Sequence, residues 1–121
     1  MKPILVVDDD VDIRDSLAEI LSEEGYPVRC CANGAEALDQ LRNFGGASLI
    51  ILDLMMPVMN GWTFREVQTH DARIASIPVI TMSAVADLEP QSQPQQGGGL
   101  LLCKPVNLDK LLERVAERVR Y

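Results

Sequence analysis

Short apolar runs alternate along this chain with longer segments whose apolar residues recur at helical spacing. The runs are of strand length and read, in order, PILVVD, PVRCC, SLIILDL, IPVITMSA and GLLLCK. The first and third are apolar almost throughout, which is typical of strands covered on both faces in a parallel sheet. The pattern therefore predicts five strands, and the longer segments between them predict helices.

Four of the longer segments carry the helical period. They read VDIRDSLAEILSEEG, NGAEALDQLRNFGG, WTFREVQTHDARI and VNLDKLLERVAERVRY. Asn33 and Asn107 stand where an N-terminal capping residue is expected in the second and the last, and Gly25 suits the C-terminal cap of the first. Strands that alternate with helices predict an α/β fold, in which right-handed crossovers place helices on both faces of a parallel sheet.

One connection breaks this alternation. The stretch VADLEPQSQPQQGGG, residues 85–99, stands where another helix is expected, but it holds Pro90, Pro94 and three glycines. A proline in a helix interior costs about 3 kcal/mol, so we expect at most one turn of helix around residues 84–88. Residues 86–99 are predicted to be irregular, within a single domain that spans residues 1–121.

Composition and charge narrow the possible functions. The net charge is −7, and direct nucleic-acid binding is not expected because phosphate contacts need a basic surface. No apolar stretch approaches the about 20 residues of a membrane helix, and no signal-peptide pattern begins the chain. The three cysteines, Cys30, Cys31 and Cys103, lack metal-ligand spacing and fit small buried side chains in a reducing compartment. We therefore expect a cytoplasmic protein without membrane attachment.

Polar residues that could carry chemistry follow four of the predicted strands. Asp8 and Asp9 end the first strand, Asp53 the third, Ser83 the fourth and Lys104 the fifth. Ligands of open α/β sheets bind at the carboxyl ends of the strands, so these side chains are expected to share one pocket. Neighbouring carboxylates repel one another unless a cation neutralises them, and oxygen ligands suit Mg²⁺. A carboxylate can also accept a phosphoryl group, which a metal ion, a lysine and a hydroxyl would stabilise.

The segments ILVVDDD, ILDLMMPVMNG, PVITMSA and CKP, in this order and spacing, resemble the receiver domain of bacterial two-component response regulators. The resemblance covers essentially the whole chain and includes the single-domain chemotaxis regulators. It implies a flavodoxin-like, doubly wound sheet of five parallel strands in the order 2-1-3-4-5. The fourth helix of that fold would here be degenerate or replaced by a loop.

The resemblance assigns the acidic residues individually. Asp53 would be the phospho-acceptor. Asp9 and Asp53 would bind Mg²⁺ directly together with the backbone carbonyl of Met55, and Asp8 would hold the ion through water. Asp10 falls outside the acidic pair, and we expect it to cap the first helix, where a carboxylate meets the positive end of the dipole.

The resemblance also assigns the residues around a bound phosphoryl group. Ser83 would be the switch hydroxyl, with Ala84 beside it, and Lys104 would pair with a phosphoryl oxygen. The Lys104–Pro105 peptide bond would be cis. Leu101 occupies a position that is usually aromatic in the family, so the expected aromatic relay to the surface lacks its side chain.

The implied function is signalling rather than catalysis. Asp53 would take its phosphoryl group from a histidine kinase or a phosphotransfer protein, and a conformational change would alter binding to a downstream protein partner. The chain would act alone or as one part of a longer protein, as a monomer or a phosphorylation-dependent dimer. In the family, the residues two positions after the acceptor aspartate and after the switch hydroxyl help to orient the hydrolytic water. Here these positions hold Met55 and Val85, whose apolar side chains cannot hydrogen-bond a water, so slow autodephosphorylation is expected.

Two other functions remain open at this stage. One is a pseudo-receiver that binds proteins without being phosphorylated. The non-aromatic Leu101 and the irregular segment 86–99 are consistent with it, although the acidic residues and Lys104 argue against it. A small Mg²⁺-dependent phosphohydrolase of the haloacid-dehalogenase type also uses an aspartate nucleophile. That family has a second aspartate two residues later, where this chain has Met55.

Overall fold

The computed structural model describes residues 2–56, 58–83, 100–103 and 106–119. The irregular segment predicted at 86–99 lies outside these residues. Strands and helices alternate in the predicted order: β1 (Ile4–Val7), α1 (Val11–Glu23), β2 (Val28–Cys31), α2 (Gly34–Asn43), β3 (Leu49–Asp53), α3 (Gly61–Thr69), β4 (Val79–Ser83), β5 (Leu100–Cys103) and α4 (Leu108–Arg118). None of the helices in these ranges has the length and apolar character needed to cross a bilayer.

The five strands form one parallel sheet in the order β2-β1-β3-β4-β5. The predicted order is therefore confirmed. The register pairs Val7 with Leu52 and Asp53 with Met82, so β1, β3 and β4 end at the same edge of the sheet. Residues that follow these strands are brought together there.

The sheet separates two apolar cores, because alternate side chains of a strand point to opposite faces. On one face Leu5 and Val7 pack with residues of α2 and α3. On the other face Ile4 and Val6 pack with residues of α1 and α4. All four residues of β1 are buried, which explains why its sequence is continuously apolar rather than alternating.

The helix ends follow the predicted capping residues in most cases. The side chains of Asn33 and Asn107 accept hydrogen bonds from the first turns of α2 and α4, and Gly25 adopts a positive φ of 92° after α1. The third helix is shorter than predicted, since it ends at Thr69 instead of residue 74. There the buried side-chain amide of Gln68 donates to the carbonyls of Ile74 and Ile77, and the chain folds back as a turn.

Candidate functional site

The end of β1 supplies two carboxylates with different surroundings. Asp8 is fully buried, and its amide extends the strand pairing by donating to the carbonyl of Cys31 at 3.1 Å. Asp9 is exposed. The side chain of Asp10 accepts hydrogen bonds from the amides of Asp12 and Ile13, which confirms its predicted role as the cap of α1. The third carboxylate of the run therefore serves the helix rather than the pocket.

Asp53 ends β3 and is only 3% exposed. The amide of Met55 donates to its Oδ1 at 3.2 Å, which fixes the orientation of the carboxyl group. The amide of Leu54 donates to the carbonyl of Met82 at 3.0 Å, so the chain stays attached to β4 just beyond Asp53. The Asp53 carboxyl group is thus oriented by the loop that follows it, at a point where the chain is still bonded to β4.

The loop after β3 turns back tightly over this carboxylate. The amide of Gly61 donates to the carbonyl of Leu54 at 2.9 Å. A Cβ on Gly61 would lie 2.7 Å from the Leu54 Cα and 2.9 Å from the Asp53 carbonyl oxygen, and real Cβ atoms do not approach backbone so closely. Glycine is therefore required at the start of α3.

The three carboxylates meet at the carboxyl edge of the sheet. One carboxylate oxygen each from Asp8, Asp9 and Asp53 lies within 4.8 Å of the others. Clustered carboxylates repel one another, and hard oxygen donors of this kind are what Mg²⁺ prefers. These carboxylate oxygens therefore fit a magnesium ion. Met55, whose backbone carbonyl is the further ligand expected from the sequence, lies in the loop directly after β3.

The remaining predicted site residues are described in part. Ser83 ends β4 and is 1% exposed, beside the end of β3. Leu101 lies in β5, where its backbone pairs in register with Thr81. Ala84, Lys104 and Pro105, and with them the predicted cis peptide bond, lie outside the described residues.

One polar contact at the site was missed in the sequence. The guanidinium of Arg14 donates to the main-chain carbonyl of Asp8 at 3.0 Å, which places a positive charge beside the acidic run. The sequence held the information for this contact, since Arg14 stands one helical turn after the capping residue Asp10. In the structure the Arg14 amide donates to the Asp10 carbonyl. A helix capped next to a strand end brings its first turn close to that strand.

A doubly wound parallel sheet with an acidic cluster at its carboxyl edge defines a flavodoxin-like protein whose carboxylates fit a divalent cation. Residues 4–116 match the family model of the response regulator receiver domain. The chain belongs to this family, and it is a receiver domain of two-component response regulators.

Curated relatives and solved structures agree with this assignment. The chain is 38% identical over 120 residues to the response regulator RR06 of Streptococcus pneumoniae, covering 97% of this chain and 52% of the relative. It is 32% identical over 122 residues to the CpxR homolog of Haemophilus influenzae, a transcriptional regulatory protein, covering 99% and 51%. It spans about half the length of the curated relatives it matches.

Among solved structures, a response regulator receiver protein from Pseudomonas putida has a TM-score of 0.87 at 30% identity, covering 97% of this chain and 98% of that one. The chemotaxis response regulator CheY4 of Vibrio cholerae has a TM-score of 0.84 at 30% identity, with the same coverage. The fold is therefore shared over nearly the full length of both.

Proposed function

We propose that Asp53 accepts a phosphoryl group and that the modified domain signals by changing its binding to a downstream protein. The observation that carries this proposal is the position of Asp53, buried at the end of β3 with its carboxylate against those of Asp8 and Asp9. A buried carboxylate beside two others needs a chemical reason, and family membership supplies one.

The transfer requires nucleophilic attack by an Asp53 carboxylate oxygen on the phosphorus of the donor. The bond from phosphorus to the donor nitrogen breaks, an acyl phosphate forms on Asp53, and the departing imidazole retains the electron pair and takes up a proton. The hydrogen bond from the Met55 amide to Oδ1 holds the carboxylate in one orientation for this attack. Positioning of this kind contributes much of the rate in phosphoryl transfer.

The acidic cluster would hold Mg²⁺ for this reaction. Asp9, Asp53 and the Met55 carbonyl would be direct ligands, with Asp8 acting through water. When bound, the ion neutralises the charge of the carboxylates and of the phosphoryl oxygens. Asp8 is fixed for such a role, because its Oδ1 accepts a hydrogen bond from the Asp10 amide at 2.9 Å.

Ser83, Ala84 and Lys104 complete the proposed phosphoryl site. Ser83 is buried and is the last residue of β4, the strand that pairs with β3. Its neighbour Met82 lies opposite Asp53, so the Ser83 hydroxyl is placed to respond to a phosphoryl group on Asp53. Its displacement toward that group would carry the signal into β4 and the segment that follows.

A histidine kinase or a phosphotransfer protein is the proposed donor, as expected for the family. Several relatives are named as transcriptional regulators, and two are named as DNA-binding regulators. This chain carries a net charge of −7, which opposes direct contact with DNA. We therefore propose that its own output is a protein contact.

Phosphorylation of the protein by acetyl phosphate tests this function. Incubation with Mg²⁺ should add one phosphoryl mass to the intact protein, and chelation by EDTA should prevent the addition. Asp53→Asn should remain unmodified. Asp10→Asn is the matched control, because asparagine caps a helix as well as aspartate does, and this variant should be phosphorylated normally.

Two results would contradict the proposal. An adduct on Asp53→Asn would place the acceptor elsewhere. Trp62, the single tryptophan of the chain, stands directly after Gly61 in the first turn of α3. No adduct on the parent protein, together with a Trp62 fluorescence that Mg²⁺ does not change, would favour a pseudo-receiver that acts by binding alone. If the adduct forms on the parent protein, size-exclusion chromatography of the phosphorylated protein distinguishes a monomer from a phosphorylation-dependent dimer.

A further inference from the structure

A second cavity lies at the opposite end of the sheet from the acidic cluster. Its volume is about 450 Å³, and it is bounded by the start of β1, the end of α2 and the connections that precede β3 and β4. The residues that line it include four apolar ones, Leu41, Ile74, Ile77 and Pro78. The size falls within the range of small-molecule sites, about 300–1,000 Å³.

Three cationic side chains line this cavity, namely Lys2, Arg42 and Arg73. Asp71 lies 3.4 Å from Arg42 and 3.0 Å from Arg73 and offsets one of the three charges. Lys2 forms no ion pair with any carboxylate of the described residues. The three cations and Asp71 together therefore carry a net charge of +2, in a chain whose total charge is −7.

Backbone donors line the same cavity. The Gly46 amide closes a hydrogen-bonded turn at the end of α2, whereas the amides of Gly45 and Ala47 make no hydrogen bond to any residue in the described ranges. Gly45 and Gly46 have positive φ values of 86° and 90°, and turns of this kind can gather successive amides around an anion. The Lys2 Nζ lies 3.7 Å from the point where a Cβ of Gly46 would stand, so the cation lies directly over this loop.

One effect opposes anion binding here. The α2 helix ends at this loop, and the carboxyl end of a helix carries about half a negative charge. The side-chain charge of +2 is several times larger and of opposite sign. Arg42 in the last turn of α2 also lies where a cation compensates the helix dipole. The cavity is therefore electropositive overall.

We propose that this cavity binds a small phosphate monoester of about the size of a mononucleotide. A dianionic phosphate matches the charge of the three cations and Asp71, and its oxygens can accept hydrogen bonds from the amides of Gly45 and Ala47. The cavity is larger than a bare phosphate needs, and its four apolar lining residues can contact an organic body attached to the phosphate. The proposal does not depend on phosphorylation of Asp53.

Titration with adenosine 5′-monophosphate tests the proposal. EDTA is present throughout, so that the acidic cluster cannot bind the ligand through a metal ion, and ionic strength is held constant. Calorimetry should show saturable binding to one site, with weaker binding of inorganic phosphate and none of adenosine. Amide NMR shifts should concentrate at residues 45–47 and around Lys2.

Charge-removing variants locate the site. Lys2→Ala and Arg73→Ala should each weaken binding about tenfold, because each removes one of the phosphate-facing cations. Arg114→Ala is the matched control, since Arg114 is also a surface arginine paired with an acid, Glu117, but lies far along the chain in α4. It should leave the affinity unchanged, as should Asp53→Asn.

Four results would overturn the proposal. Three concern affinity: the absence of saturable binding at millimolar concentrations, equal binding of adenosine, and affinities that are the same in Lys2→Ala, Arg73→Ala and Arg114→Ala. Shifts confined to the residues around Asp8 and Asp53 would also overturn it, because they would place the ligand at the other end of the sheet.

Discussion

The two ends of the sheet handle charge in opposite ways. At the carboxyl end, Asp8 is fully buried and Asp53 is 3% exposed, and their neighbour Asp9 has the same sign. At the amino end, Asp71 lies between two arginines of opposite sign, and the side chain of Arg73 is 70% exposed. The same strands connect the two ends, so the difference comes from the residues placed just beyond them.

This difference sets how strongly each end of the sheet responds when its charged residues are changed. Burying like charges together is unfavourable unless a ligand relieves the repulsion, so such a cluster is informative about function. Exposed ion pairs stabilise a protein little and occur on most surfaces. We therefore expect changes near Asp53 to have larger consequences than changes near Asp71.

Gly61→Ala should have the largest effect on stability among the variants considered. The added methyl would meet backbone at 2.7 Å, at the Leu54 Cα, which cannot move without displacing the end of β3. We expect the free energy of unfolding to fall by about 3 kcal/mol, as for severe overpacking. Urea denaturation measures the change, and slower phosphorylation by acetyl phosphate would report the displaced Asp53.

Gly34→Ala is the matched control for this prediction. Gly34 and Gly61 each begin a helix directly after an asparagine cap. The three atoms nearest to a Cβ on Gly34 all belong to the side chain of Met59, at 2.9 to 3.1 Å, and none of them is a backbone atom. Its effect should be well below that of Gly61→Ala. Equal losses in the two variants would show that the backbone contact is not the cause.

Gln68→Leu should cost about 2 kcal/mol, because it leaves buried polar groups unsatisfied at the amino end. The Gln68 amide is fully buried, donates to the carbonyls of Ile74 and Ile77, and accepts from Arg65 at 2.6 Å. Thr69→Ala removes a neighbouring side-chain hydrogen bond that lies at the surface, and it should change the urea midpoint little. Similar midpoints for both variants would contradict this account.

Met55→Asn should shorten the lifetime of phosphorylated Asp53, a prediction that rests on the proposed function. Met55 is 52% exposed next to the acceptor and offers no hydrogen bond to an attacking water. An amide there can orient that water, and we expect dephosphorylation to be about tenfold faster, equivalent to 1.4 kcal/mol in the barrier. Loss of the phosphoryl mass with time measures the rate, and Met55→Leu should leave it unchanged.

Much of the fold and of the acidic site could be predicted because the signals are local. The continuous apolar run of β1 and its terminal aspartates are adjacent in the sequence, and Asn33 and Asn107 cap the helices that follow them. The early end of α3 was not predictable from helical period alone. By helical period alone, Gln68 is one more polar residue of the helix. Its hydrogen-bond acceptors, the carbonyls of Ile74 and Ile77, become known only from the tertiary structure.

Two other features depend on long-range packing. Cys30 is exposed, contrary to the expectation of buried cysteines, because β2 is an edge strand and only Cys31 faces the core. Burial raises the pKa of the Cys31 thiol to about 12. The cavity at the amino end joins Lys2, which precedes β1, Arg42 in the last turn of α2 and Arg73 in the connection before β4, and no spacing rule relates these positions.

The smallest expected effect concerns Asp71. Hydrogen bonds from the side chain and backbone of Arg73 lower the pKa of the Asp71 carboxyl from 3.8 to about 2, with a further contribution from Arg42. Because the pKa is lower in the folded protein, the ionised Asp71 carboxylate stabilises the fold fully above pH 4 or so, and this stabilisation is lost as the pH falls through about 2. Asp71→Asn should therefore be slightly less stable than the parent at pH 6, and the difference in urea midpoint should shrink as the medium is acidified.

Carboxyl NMR measures the pKa of Asp71 directly, and Arg73→Ala should raise that pKa toward its ordinary value. A constant difference between the two proteins across this range, or an unchanged pKa in Arg73→Ala, would mean that the ion pairs at the amino end do not form in solution.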